Sequence, residues 1–290
     1  MTNSVNTNAG ALVALSSLRG NTSNLDVTSK KVQTGLRVAD QNDDAAIFAV
    51  AQGVRGDIKA YASVQSSLSA GIGLGEVAMA GVNRIYDLVG DIEAKLANLA
   101  DGSLSVEQQN VYRNDIVALI GTINQVVAQA DYNGKNLLAG DALLSGAGAL
   151  SFVADVSGTT LSYLTGHRLD WDSDNMLGPN VLFPSTNDVY ENIFENPPDI
   201  ATARIGLAGF KGRLDEMAYT VASQKRSMEQ QKAFVDNLVD AMKGGLGALV
   251  DADVAAESAA LESGKVAQQL SIESLSIANQ RPNVLLSLLR

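Results

Sequence analysis

Residues 15–36 read LSSLRGNTSNLDVTSKKVQTGL, and this stretch decides the fold class. Leu15, Leu18, Thr22, Leu25, Ser29, Val32 and Leu36 follow alternating steps of three and four, the spacing of a helical heptad seam. Two of the seven positions are polar. The seam runs roughly 30 Å at 1.5 Å per residue. It fits equally well a core-facing helix of a globular bundle and one partner of a coiled coil.

The other end of the chain carries a matching pattern. Residues 249–290 read LVDADVAAESAALESGKVAQQLSIESLSIANQRPNVLLSLLR, with Val254, Leu261, Val266, Leu270 and Ile277 along a second helix. Leu285, Leu286, Leu288 and Leu289 then crowd into five positions. Burying four Leu side chains yields roughly 6–12 kcal/mol gross. Ordering residues 277–290 costs on the order of 20 kcal/mol at ~1.5 kcal/mol per residue. Such a segment cannot fold alone and requires a partner surface. Docking on neighbouring copies fits it better than docking on the chain's own domain.

Composition supports helices throughout. Of the 290 residues 46% are hydrophobic but only 5% aromatic, so much of the apolar content is Ala, Leu and Val. Ala and Leu are strong helix formers. The expected fold is mainly α: a long antiparallel helical bundle or coiled coil built from both termini, with a β-hairpin and a small irregular insert at its tip. Asp43 and Asp44 suit the start of a helix, where carboxylates meet the positive dipole end. Helices are expected over about 45–99 and 106–129, separated by turn chemistry at 100–103. Tyr132, Asn133 and Gly134 close the second. Alternation from Leu150 to Val156, a turn at Ser157-Gly158 and then Thr160 to Tyr163 predict a hairpin. Pro179, Pro184, Pro197 and Pro198 crowd the irregular stretch before helix returns. A further helix is expected over about 201–242, ended by Gly244, Gly245 and Gly247.

Several function classes are excluded on chemistry. The net charge is −11, which argues against nucleic acid and anionic membrane as partners. No Cys is present, so thiol catalysis and Cys-based metal sites are ruled out. The single His, His167, reads as a surface loop residue, and catalytic residues and cofactors are not expected. Gly71, Gly73 and Gly75 have the wrong spacing, and no preceding strand, for a dinucleotide loop. Asp170, Asp172 and Asp174 open like a calcium loop, but Asn175 stands where Gly is needed and Val181 where Glu is needed. The N-terminal stretch lacks the basic and apolar regions of a cleavable secretory signal.

Both ends resemble the bacterial flagellins. The motifs are MTNSVNTNAGALVALSSLRG, TGLRVADQNDDAAIFAVAQGVRG, the segment Ala130-Asp131-Tyr132-Asn133-Gly134 and residues 249–290. Two departures stand out: Ile47-Phe48 after Asp-Asp-Ala-Ala, and Leu289 before the final Arg. The resemblance implies a non-enzymatic filament subunit of the flagellum, located outside the cell and exported unfolded by the flagellar type III apparatus without a cleaved signal. It implies inner-tube helices over 1–40 and 247–290. The outer-tube helical domain would span 41–166 and 199–246, with its hairpin near 150–164, and a short solvent-facing insert would occupy 167–198. The implied assembly interface comprises Leu15, Leu18, Leu25, Val32 and Leu36 with Val254, Leu261, Val266, Leu270, Ile277 and the four terminal leucines. Implied partners are further copies, sister flagellins, cap and hook–filament junction proteins, and a chaperone on the C-terminal helix. The rival readings are a hook–filament junction protein and a surface binding protein whose acidic insert captures a ligand.

Overall fold

The computed structural model describes residues 8–139, 149–164 and 199–288, with side chains over 8–139, 150–163 and 199–280. Helices dominate: α1 (Ala9–Thr34), α2 (Ala45–Leu99), α3 (Val106–Gln129), α4 (Ile200–Val250) and α5 (Val254–Leu288). Two antiparallel pairs supply the β-structure, β1 (Asp131–Tyr132) with β2 (Lys135–Asn136) and β3 (Ala149–Val153) with β4 (Thr160–Leu164). The chain divides into two compact units, Met1–Lys59 with Val239–Arg290, and Ala60–Leu238. The insert over 167–198, with His167, Asp170, Asp172 and Asp174, lies outside the described residues. So do Leu289 and the side chains of Leu285, Leu286 and Leu288.

In the first unit α1 and α5 pair antiparallel. Asn8 Nδ2 donates to the Ala278 carbonyl at 2.7 Å while its Oδ1 accepts from Ala11 N–H at 3.0 Å. One side chain therefore caps α1 and ties it to α5. Gly35, at φ 68°, ends α1 in the left-handed conformation that glycine adopts without a Cβ penalty. The helix thus stops short of Leu36, which instead bridges Asp251. Arg37 N–H donates to Val250 O at 2.7 Å and Ala252 N–H to Gly35 O at 2.9 Å. Asp44 caps α2, accepting from Ala46 and Ile47 N–H at 3.0 Å. Val38, Ala51 and Val250 form a small core here, covered by Leu36, Ile47, Phe48 and Leu246.

The helix end expected at Gly244–Gly247 moves to Val250. Each interior glycine costs about 1 kcal/mol relative to Ala, too little to stop a helix whose last turn is anchored. Leu246 packs into the small core, and the Val250 carbonyl is taken by Arg37 and Val38 N–H.

In the second unit α2 and α4 run antiparallel, joined by Gln65 to Asp236 at 2.7 Å, Lys225 to Glu76 at 3.4 Å, and Lys211 to Glu93 at 3.8 Å. Lys95 reaches Asp115 of α3 at 2.6 Å. Along α2, Val64, Leu68, Gly71, Gly75, Ala78, Val82, Ile85, Val89, Ile92, Leu96 and Leu99 are all buried. Their steps alternate four and three without a break, a heptad in which glycine holds two positions. Those two glycines admit the β3–β4 hairpin. A Cβ on Gly71 would lie 2.6 Å from Met228 Sδ and 3.0 Å from Phe152, and one on Gly75 would run into the Tyr163 hydroxyl. Tyr163, buried, donates to the Gly71 carbonyl at 3.0 Å and meets Phe152 edge-on with centroids 6.1 Å apart. Ser67 Oγ and Gln231 Nε2 bond the hairpin backbone at Val153 and Ala154.

Candidate assembly interface

The α1 seam is the one the heptad spacing marks. Leu15, Leu18, Thr22, Leu25, Ser29 and Val32 are half-buried, with Leu12, Val13 and Val27 exposed on other sides of the helix. Facing them on α5 are Leu261, Gly264, Gln268, Ser271 and Leu275, likewise wholly or partly buried. The polar positions are paired across the seam. Asn21 Nδ2 donates to Ser271 Oγ at 2.7 Å, Gln268 Nε2 to Thr22 Oγ1 at 3.1 Å, and Lys31 meets Glu257 at 3.1 Å. A Cβ at Gly264 would lie 3.0 Å from Leu25 Cδ1, so the helices approach closely there. Register is fixed by hydrogen bonds as much as by apolar contact.

Below the seam Lys30 clamps the α1–α2 connector. Its ammonium donates to Asp40 at 2.6 Å and to Asp43 at 3.0 Å, and Asp43 also accepts from Ala39 and Asp40 N–H. The hydrogen bond to Lys30 holds both carboxyl groups below the usual Asp range, and the two bonds raise Lys30. The motif around Asp40–Asp44 is thus a turn stapled by one cation.

Not every residue marked in the sequence joins the α1–α5 seam. Val266, Leu270 and Ile277 are 55%, 63% and 57% exposed. At 100° per residue they fall within about 40° of one another, on the side of α5 opposite Leu261, Gly264 and Ser271. Val254 is also exposed, at the first turn and toward the edge of the seam. Helix α5 therefore has two apolar faces, one closed by α1 and one open. Burying half of three such side chains is worth about 3–5 kcal/mol gross. In the sequence Asn21, Gly264 and Ser271 look only like small or polar interruptions of the apolar pattern, with no local sign that they meet across the seam. Among the described residues no cluster of three His, Asp or Glu could hold a metal, and no helix is long and apolar enough to cross a membrane.

A helical subunit whose chain ends pair through a partly polar seam, and whose C-terminal helix keeps a second apolar face open, belongs to the class of self-associating structural proteins. The comparisons agree. The model of the bacterial flagellin N-terminal helical region matches residues 5–142, and that of the C-terminal helical region matches residues 213–289. The chain belongs to the bacterial flagellin family. A flagellin of Brucella melitensis biotype 1 is 31% identical over 249 residues, covering 85% of this chain and 84% of that protein. Flagellin FljK of Caulobacter vibrioides is 30% identical over 250 residues, again 85% and 84%. The solved Bacillus cereus flagellin is 15% identical over 61% of this chain and 88% of its own, with a TM-score of 0.38.

Proposed function

We propose that this chain is the structural subunit of a bacterial flagellar filament, built by self-assembly outside the cell. The observation that carries the reading is the coincidence of family and geometry. The two family models, over 5–142 and 213–289, include the segments that pair as α1 and α5, and α5 leaves Val266, Leu270 and Ile277 exposed. In the filament, 1–40 and 247–290 belong to the inner tube and 41–166 with 199–246 to the outer tube, leaving 167–198 facing solvent. The seam residues hold the subunit's own ends together, and the open face of α5 docks on neighbouring copies. Assembly needs no catalytic group and no cofactor. Export through the flagellar type III apparatus suits ends that order late. A chaperone on the C-terminal helix, a cap and hook–filament junction proteins complete the set of partners.

The test is seeded polymerisation of the purified chain. Wild type is expected to grow long helical filaments from fragments. Leu270→Ser with Ile277→Ser is expected to abolish growth while leaving monomer helicity unchanged, because both side chains are already solvated. Normal filaments from that variant would remove the open face from the mechanism; failure of wild type to grow would remove the filament reading itself.

A further inference from the structure

Within the second unit, one side-chain amide is placed for chemistry of its own. Asn133-Gly134 is the one Asn-Gly step in the chain, and it forms the two-residue loop between β1 and β2, where Tyr132 pairs with Lys135. Both loop residues have positive φ, 54° and 73°, as a type I′ turn requires. The loop is exposed, and the Asn133 amide makes no hydrogen bond among the described residues. In an open chain the Gly134 nitrogen, once its proton has passed to hydroxide, can attack Cγ of Asn133, and glycine puts no Cβ in the way. The N–Cγ bond forms, the Cγ–Nδ2 bond breaks, and the amide takes a proton from water and leaves as ammonia. Water then opens the five-membered imide at either carbonyl, leaving Asp or isoaspartate at position 133.

The folded turn opposes both requirements of that reaction. Ring closure needs rotation about the Asn133 Cα–C bond, away from the torsion that a type I′ turn imposes. Attack also needs the Gly134 N–H to lose its proton, and that group donates to Asp131 Oδ1 at 3.1 Å. A carboxylate beside a donor favours its protonated form. A hairpin with two-residue strands is marginal by itself, but this one is anchored at its base and on one face. Asn136, buried, donates through Nδ2 to Val127 O at 2.6 Å and accepts from Leu138 N–H at 2.8 Å. Leu137 and Leu138 are buried beside it. The Tyr132 ring lies against Gly73, where an added Cβ would sit 3.0 Å from it. The chain's one Asp-Gly step, Asp101-Gly102, differs in its electrophile. Ser103 N–H donates to Asp101 at 2.9 Å and holds that carboxyl below the usual Asp range, and an ionised carboxylate is a poor target for the same attack.

We propose that Asn133 is a deamidation site that folding closes: the unfolded chain converts it to Asp and isoaspartate, and the anchored β1–β2 turn withholds it. Isoaspartate adds a methylene to the backbone of a two-residue loop, and loop length fixes hairpin register. A chain carrying it therefore loses the pairing of Asp131 with Asn136. The isoaspartate fraction is a permanent mark of time spent unfolded, whatever the chain goes on to build.

The test incubates the unpolymerised full chain in mildly alkaline buffer, with and without guanidinium chloride, over days. Samples are digested in acid and the peptide holding Asn133 is read by mass spectrometry, with an isoaspartate methyltransferase as the reagent that counts isoaspartate. In denaturant Asn133 should convert ahead of every other asparagine. In native buffer its rate should fall by about tenfold or more, because only the locally opened population reacts. Asp131→Ala and, separately, Asn136→Ala should each raise the native rate by about threefold or more, measured against the same variant's rate in denaturant. Circular dichroism checks that each variant is folded, and Asp131→Ala decides alone if Asn136→Ala is not. Survival of Asn133 in denaturant, equal rates with and without it, or a native rate unmoved by Asp131→Ala would each overturn the inference.

Discussion

Substituting Ala for Gly in α2 should have opposite signs at two positions fifteen residues apart. At Gly90, exposed, nothing lies within 4 Å of the added Cβ. Ala there gains helix propensity and restricts the unfolded chain, for a stabilisation of about 0.5–1 kcal/mol. At Gly75 the same methyl meets the Tyr163 hydroxyl and lies 3.3 Å from Lys225 Cβ. The hydroxyl is the far end of a side chain, but that side chain is buried and its hydrogen bond to Gly71 O fixes the hairpin. Overpacking costs about 1–3 kcal/mol, and a buried hydroxyl without a partner costs about 1–3 kcal/mol. Against these stands a propensity gain of about 1 kcal/mol, so Gly75→Ala should lose about 1–5 kcal/mol. For a unit of this size that is a drop of about 2–20 °C in melting temperature. Heat and urea unfolding of the unpolymerised full chain, followed by far-UV circular dichroism, reads both variants. Adding Tyr163→Phe to Gly75→Ala removes the clashing oxygen and should return part of the loss. If Gly75→Ala melts at or above wild type, as Gly90→Ala should, the hairpin does not depend on the glycines of the α2 heptad.

Other expectations follow from single contacts. Asn8→Ala removes a helix cap and the tie to Ala278 together, so about 1–2 kcal/mol of local stability should disappear; faster amide exchange in the first turns of α1 and near Ala278, with the second unit unchanged, is the readout. Thr22→Leu with Gln268→Leu replaces a hydrogen-bonded polar layer of the seam by an apolar one and should raise the helicity and melting temperature of the free α1–α5 pair. Asp40 and Asp43 have folded values below the ordinary Asp value of 3.8. Their contribution is therefore complete above that value and lost as pH falls through the folded values; the first unit should loosen in acid, and Lys30→Gln should flatten that dependence. Tyr86 is pushed up to about 12, first by burial and then by its hydrogen bond to Asp215. A raised acid stabilises the fold below its unfolded value and ceases to do so as pH rises through about 12. Phenolate absorbance of wild type against Tyr86→Phe should show one tyrosine ionising only in that upper range.

The helices were legible because their signals are local. Turn residues at 100–103 separate α2 from α3, Asp44 caps α2, and Ser157-Gly158 turns the β3–β4 hairpin. What escaped the sequence depends on partners distant in the chain. Gly244 and Gly245 read as a helix end, yet α4 continues because Leu246 and Val250 are anchored by residues 36–38. The β1–β2 hairpin is hidden for a different, local reason: Asn133 and Gly134, with φ 54° and 73°, are a standard signal for a two-residue turn, but strands of two residues each carry no alternation to read. Gly71, Gly73 and Gly75 resemble a nucleotide loop only in being a glycine cluster, without its spacing or a preceding strand. The heptad running from Val64 to Leu99 through Gly71 and Gly75 was the better clue, since a missing side chain within an apolar seam marks where another element enters.

The two faces of α5 give the weak seam a consequence. A seam with Asn21, Thr22, Gln268 and Ser271 at its centre exchanges water hydrogen bonds for protein ones, and each such exchange is worth only about 0.5–1.5 kcal/mol net. An apolar seam of equal length would be far more stable in the isolated subunit, and α5 would then be ordered whether or not neighbours were present. With the polar seam, the free energy of docking the Val266–Leu270–Ile277 face adds to that of ordering the pair. Any partner that binds only the ordered form shifts the folding equilibrium by mass action. If the filament reading proposed above holds, the same helix would report on assembly, loosely paired when alone and locked when its second face is covered. The polar residues set how much of that free energy must come from the neighbour, and Thr22 and Gln268, bonded to each other across the seam, are where it can be adjusted without touching the docking face.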